Sequence, residues 1–302
     1  MLKRWGWSKK VYTMKGMKKS IYLVGLGLML AVCVTACKKA NQDSDDTYSN
    51  EEVVDLSELE DISEPEVPDT ICPKTTLLYV GDIRVFELEG GVENKVEGGM
   101  ILFEAGLSVD ADGAPRAYHP SDDSKALDYL ENGGEEGNWW AVATDDGTLS
   151  GTPIIQGEGD PAPGFYVSMT SLSDPTKDRT KPERYVNSEK INYIVLPPQL
   201  ASLVRLGDMA AVYSTKTKKL AYATFADVGP DDHLGEGSIA LAEALGLNSS
   251  AKSGGIDGGV RYLVFPSTSR GFPKAQEEIN KVTGYVFEAW GGVDRITACQ
   301  LE

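Results

Sequence analysis

Histidine is almost missing from this chain, with two in 302 residues, His119 and His233. Hydroxyl and thiol nucleophiles usually draw on a histidine base, and no G-x-S-x-G elbow, P-loop or dinucleotide fingerprint occurs either. Triad hydrolysis, P-loop phosphate chemistry and dinucleotide redox chemistry are therefore poor fits. Cysteine is equally scarce, with four residues at positions 33, 37, 72 and 299. Two cysteines in the body of the chain cannot make a tetrahedral zinc site alone. No metal and no cofactor is expected. Positive charge is also in short supply, at 29 Lys and Arg against 46 Asp and Glu. Such a balance argues against nucleic acid as a partner and suits a polycationic one, though it also serves solubility alone. The marked apolar run near the start, IYLVGLGLMLAV, falls short of the roughly 20 residues a membrane span needs.

That run has a different use. Lys15, Lys18 and Lys19 precede it, and Val34-Thr35-Ala36-Cys37 close it. The arrangement resembles a secretory leader ending in the lipobox of bacterial lipoproteins, which implies lipid on Cys37. The expected layout is a leader over 1–37, a tether over 38–71 and one domain over 72–302. Seven basic residues leave with the leader, so the remainder carries 22 against 46, a net charge of −24. Twelve acids crowd residues 38–70, a polar stretch with prolines and few aromatics that reads as a disordered, self-repelling tether. The expected location is outside the cytoplasm, lipid-anchored to the membrane, as a monomer. In that oxidising space Cys72 and Cys299, at the two ends of the domain, are expected to pair.

Residues 72–302 suffice for one domain with a sizeable core. Short runs rich in β-branched and aromatic residues recur between Gly, Pro and Asp clusters: LLYV (77–80), IRVFEL (83–88), MILFEA (100–105), WWAVAT (139–144), GFYVSM (164–169), INYIVL (191–196), MAAVYS (209–214), LAYATFA (220–226) and VRYLVF (260–265). Residues 215–219 read as a hairpin connection. Helix signals are confined to 239–245, after Ser238 as N-cap and before Gly246, and to 274–290, between Pro273 and Gly291-Gly292. The pattern predicts a mainly β fold, a barrel with a few packed helices.

The segment ADVGPDDHLGEGSIALAEALGL (226–247) carries the strongest chemical signal. Asp227 ends a strand-like run, and Glu236 stands nine residues later, just before a helical one. Gly229, Pro230 and Gly235 let the chain turn between them. Two carboxyl groups across a small gap are what acid/base cleavage of a glycosidic bond requires. Spacing alone does not separate this from two acids capping a loop. His233 lies inside the same segment. Elsewhere, VDADGAP (109–115) places Asp110 and Asp112 as in a calcium loop, but Ala114 and Ser121 stand where such a loop needs ligands. An acidic turn lining a cleft fits better. Trp139-Trp140 and Phe165-Tyr166 offer rings for stacking on sugars, with one of each pair expected in the core.

The stretches VDADGAPRAYHP, NWWAVATDDG, DPAPGFYVSMTSL, YVNSEKINYIVLP, LGDMAAVYS and ADVGPDDHLGEGSIALAEALG, in that order, resemble glycoside hydrolase family 75, the fungal-type chitosanases. The resemblance spans about residues 75–272. It implies endo-hydrolysis of β-1,4-linked glucosamine polymers with inversion, without a cofactor. Its catalytic aspartate at a strand end and glutamate in a G-E-(small)-S motif fall on Asp227 and Glu236, with Gly235, Gly237 and Ser238 completing the motif. The loop between them is short here, and the acidic tether is not a feature of the fungal enzymes. Glu236 is expected to be the acid and Asp227 the base, although the dipole of the following helix works against that order. Asp110, Asp112, Trp139, Trp140 and His233 are the expected substrate-binding residues, with the two aspartates facing ammonium groups. The Asp-x-Gly-Pro loop and small helix are also similar to double-psi β-barrels of the rare-lipoprotein-A and expansin type. That similarity implies a six-stranded double-psi-like barrel with added strands, and a rival function: non-catalytic binding of cell-surface polysaccharide or peptidoglycan.

Overall fold

The computed structural model describes residues 72–89 and 99–301. The expected leader, with Cys37, and the tether lie outside the described residues. Eight strands form one sheet: β1 (Lys74–Val80), β2 (Ile83–Leu88), β3 (Met100–Asp110), β4 (Tyr193–Leu196), β5 (Met209–Ser214), β6 (Leu220–Val228), β7 (Glu236–Ser238) and β8 (Ile256–Phe265). Strands β3-β7-β4-β6-β5-β8 follow one another, and β8 pairs back to β3, closing a six-stranded mixed barrel. The hairpin β1–β2 extends from β3 outside the closed ring. The described residues also hold four α-helices, α1 (Pro198–Ala201), α2 (Ile239–Ala244), α3 (Gln276–Trp290) and α4 (Gly292–Ala298), and two short 3-10 turns in the connection between β3 and β4. None is long and apolar enough to cross a membrane.

Strand alternation divides the buried side chains among three faces. Ile101, Phe103, Leu107 and Val109 of β3 point inward with Ile194, Val212, Phe225, Tyr262 and Val264, and this set fills the barrel. The Phe103 and Tyr262 rings stack there at 4.8 Å. On the outer wall, Met100, Leu102, Met209, Ala211, Leu263 and Phe265 pack beneath Ile279, Val286, Phe287 and Trp290 of α3. A second outer patch joins Tyr193, Val195 and Ala226 to Leu172 and Val186 of the long connection between β3 and β4. The site is built beside this second patch.

The expected strands at 139–144 and 164–169 do not form ladders. They make isolated bridges, Val142 with Ser168 and Ile155 with Tyr166. Two backbone bonds join them in passing, from Ala143 N to Val167 O (2.8 Å) and from Met169 N to Ala141 O (2.9 Å). Gly, Pro and Asp recur too often between 144 and 164 for any segment to run alongside its neighbour for long. Residues 215–219 do connect β5 to β6 as a hairpin, with Lys218 in the left-handed region. Cys72 and Cys299 form a disulfide that joins the two ends of the domain across 227 positions.

Candidate active site

Three strands bring the acids together. Val195 of β4 pairs with Asp227 of β6 on one side and with Glu236 of β7 on the other. Partners on one rung project from the same face, so both carboxyls rise from the outer wall on either side of Val195. Their backbones stand two strand spacings apart, about 9–10 Å. A bulge in β6 is needed for this. Ile194 pairs with Phe225 but Val195 with Asp227, so Ala226 is an extra residue. Regular alternation would send Asp227 into the barrel with Phe225; the extra residue turns it outward. On the far side, Ser108 of β3 pairs with Glu236 and Asp110 with Ser238, which places Asp110 on the same outer face.

Tight backbone contact holds β7 in place. Gly235 has φ +100°, and a Cβ there would stand 2.6 Å from the Gly106 carbonyl oxygen. Glycine is thus required both for conformation and for the close approach. Ser238 Oγ accepts from Leu241 N (3.1 Å), capping α2 as the sequence predicts, and also from Tyr193 N (3.0 Å) of β4.

The two carboxyls differ in their partners. Asp227, only 8% exposed, takes three donors on one oxygen: Ser171 N (3.0 Å), Ser171 Oγ (2.5 Å) and Val228 N (2.8 Å). Burial raises its pKa to about 6, and those three donors hold it down against burial. Glu236 takes no hydrogen bond from any described residue; its Oε2 packs beside the Gly229 backbone. Burial, then the negative charges of Asp227 and Asp128, push it up to about 7.

Asp110 and Asp112 line the same cleft and are more deeply engaged than an ammonium-binding role suggests. Asp110 accepts from Asp112 N (2.8 Å) on one oxygen and from Tyr193 OH (2.9 Å) on the other. Asp112 Oδ1 accepts from Tyr118 OH (2.6 Å) and Ser168 Oγ (3.3 Å). Burial, reinforced by neighbouring carboxylates, raises both pKa values well above the ordinary range. Oxygens of Asp110, Asp112 and Asp227 lie within 4.8 Å of one another.

The cleft holds about 680 Å³, and its walls include Asp110, Asp112, Asp128, Glu131, Asp227 and Glu236 against a single cation, Lys252. Lys252 is committed to the wall itself, donating to the carbonyls of Asp123 and Ala126 (the latter at 2.7 Å) beside the Tyr129 ring. Trp140 lines the cleft at 51% exposure, its indole N–H held by the Asn132 carbonyl at 2.8 Å.

Two expected binding residues are elsewhere. Trp139 is buried at 8% exposure against Tyr166 (5.7 Å between rings), because consecutive residues of an extended segment face opposite ways and the apolar interior takes one of them. His233 is exposed on the other side of the 229–235 loop, beside Gly81 and Asp82 of the β1–β2 turn. Of the second ring pair, Phe165 meets His119 edge-on at 5.0 Å, outside the cleft. Asp128, Glu131, Asn132 and Tyr118 also line the cleft, and Ser171 supports Asp227, beyond the residues expected from the sequence. Tyr118 and Ser171 lie inside the family-like stretches, but nothing local marks them as site residues; Asp128 and Glu131 sit in turns that resemble any solvated acidic loop.

A comparison with family models decides the identity. The model described as fungal chitosanase of glycosyl hydrolase group 75 matches residues 107–290, from the end of β3 through α3. The chain belongs to that family. It is thus a chitosanase-like glycoside hydrolase, and the matched span takes in every acid of the cleft. No curated protein matches the sequence. The six-stranded barrel of this chain carries one long connection between β3 and β4, and the cleft's acids stand on the outer wall and in that connection.

Proposed function

We propose that this chitosanase-family enzyme cleaves β-1,4 linkages within chitosan by a single displacement with inversion, Glu236 serving as acid and Asp227 as base. The observation that carries the reading is the shared rung: two carboxyls on one face, separated by the width of Val195. That separation is compatible with the roughly 6.5–9.5 Å between carboxyls in inverting enzymes, which leaves room for water. The environments support the division of labour. Three donors favour an ionised Asp227, whereas Glu236 has no donor among the described residues and two negative neighbours, so it keeps its proton near neutrality. Glu236 gives that proton to the leaving glycosidic oxygen as the bond to the anomeric carbon breaks. Water attacks that carbon from the opposite face, and Asp227 takes the water's proton. The open cleft suits an internal stretch of polymer. Its acids complement a polyammonium chain, and Trp140 gives a pyranose a flat apolar surface beside Asp128 and Glu131.

The test is a reducing-end assay on chitosan with Asp227→Asn and Glu236→Gln. Each is expected to lose about 10²–10⁴-fold in kcat with thermal stability retained. Full activity in either would remove that residue from the mechanism. Export with a lipid on Cys37 is proposed on the lipobox-like residues; incorporation of labelled fatty acid, abolished by Cys37→Ala, tests it.

A further inference from the structure

The two-carboxylate reading leaves two further acids of the cleft, the buried Asp110 and the half-buried Asp112, without a task. Asp110 and Asp112 stand against Asp227, and all three offer an oxygen within 4.8 Å of the others. Three points so spaced always have a common neighbour no farther than about 2.8 Å from each, which is hydrogen-bond length. All three side chains open onto the cleft. The remaining oxygens are informative. Every described donor to Asp227 goes to Oδ1, and every described donor to Asp112 goes to its own Oδ1. Among the described residues, Oδ2 of each therefore has no donor, although Asp227 is more than nine-tenths buried.

We propose that Asp112, facing Asp227 and backed by Asp110, holds the water that attacks the anomeric carbon. This rests on the proposed assignment of Asp227 as base. The water donates one hydrogen to Asp227 Oδ2 and the other to Asp112 Oδ2, leaving a lone pair directed out to the sugar. When the oxygen bonds to the anomeric carbon, the proton toward Asp227 is transferred, and the glycosidic oxygen leaves with the proton from Glu236. Asp112 keeps its hydrogen bond throughout and exchanges nothing net. Tyr118 and Ser168 fix one oxygen of Asp112, so the other is held in place. Tyr193 OH and the Asp112 backbone N–H hold Asp110 by one oxygen each. Three adjoining carboxyls cannot all carry charge; burial and the neighbouring carboxylates push Asp110 toward its neutral form, and with the proton there Asp112 Oδ2 stays an acceptor for the water. Such a group suits water, which donates and accepts, better than a substrate ammonium, which needs full negative charge. Glu131, exposed on the cleft wall, serves the ammonium groups instead.

The experiment is steady-state kinetics on chitosan oligomers with Asp112→Asn, together with Tyr118→Phe. Asparagine retains an oxygen for Tyr118 but can aim an amide donor at the water. The expected result for Asp112→Asn is a fall in kcat of about 10²-fold with KM within about twofold of wild type. Circular dichroism and melting temperature should be unchanged, and the residual product should still form as the inverted anomer by NMR. Tyr118→Phe frees Asp112 to turn and should lower kcat about tenfold, again without a KM effect; it carries the test if Asp112→Asn does not fold. A raised KM with unchanged kcat would make Asp112 an ammonium ligand and overturn the proposal, as would wild-type kinetics in both variants. Inactive Asp227→Asn and Glu236→Gln beside an unaffected Asp112→Asn would sink this inference alone. Activity in those two would sink the reading beneath it.

Discussion

Ser171 controls one side of the pH profile. Its backbone N–H and hydroxyl both donate to Asp227 Oδ1 and favour the ionised base. Activity needs Asp227 ionised and Glu236 protonated, so it should be lost as pH falls below about 6 and again as it rises above about 7. Those limits belong to the coupled pair and not to either group alone. Ser171→Ala removes one donor to the charged form and raises the pKa of Asp227. The acidic limb of kcat/KM should therefore move upward by about one pH unit, with the alkaline limb in place. A profile measured on soluble chitosan oligomers checks this. At this scale the sequence was legible where chemistry is written as a motif: Asp227 and Glu236 stand in Asp-x-Gly-Pro and Gly-Glu-Gly-Ser. Ser171 and Tyr118 were not legible as site residues, because their roles depend on contacts 56 and 6 positions away that no local pattern encodes.

β7 is three residues long, yet it decides where Glu236 stands. Its two ends are held by different means, and each can be tested. Gly235→Ala would place a methyl against the Gly106 carbonyl in a backbone conformation that alanine avoids. A loss of roughly 2–3 kcal/mol and of most activity is expected from denaturant unfolding and reducing-end assays. Ser238→Ala would remove the cap of α2 and strand the buried N–H of Tyr193 as well. That change should cost about 2–4 kcal/mol, more than a cap alone. Most strands were readable from their β-branched and aromatic runs, and α2 and α3 from their caps and stops; α4, which begins at Gly292, was not. β7 was not, because Glu-Gly-Ser has no strand character and exists as a strand only by lying between β3 and β4. The bulge at Ala226 was equally hidden, since only the register with β4 exposes an extra residue. The opposite error, at 139–144 and 164–169, came from runs with strand composition and no neighbour long enough to pair with.

For the molecule as a whole, negative charge sets two expectations. The cleft opposes several acids with one committed lysine, so its attraction for a polyammonium chain should weaken with salt. Raising ionic strength from about 0.02 to 0.5 M should increase KM on chitosan several-fold and leave kcat largely unaltered. Those acids also tie stability to pH. Asp227, Glu236, Asp110 and Asp112 all bind protons more tightly when folded than their ordinary values allow. The stability they contribute is present below about pH 4 to 5 and lost as pH rises through 6 and 7. The melting temperature should thus be lower at pH 8 than at pH 5, and Glu236→Gln should flatten that slope. The disulfide is legible from cysteine placement alone, and Cys299→Ser should lower stability by about 2–5 kcal/mol in non-reducing calorimetry. The barrel class was also legible; its closure through β8 onto β3 was not.

The position of the acids on the outer wall, with the apolar packing inside, has an evolutionary consequence. One set of strands presents two surfaces under separate selection: an interior where substitutions act on folding, and an exterior where they act on chemistry. The loops over that exterior, at 229–235 and 248–255, can change length or sequence and admit a different polymer while the barrel packing is inherited unchanged. A lineage could therefore lose hydrolysis and keep binding, or exchange one polysaccharide for another, through changes confined to a single side of four strands.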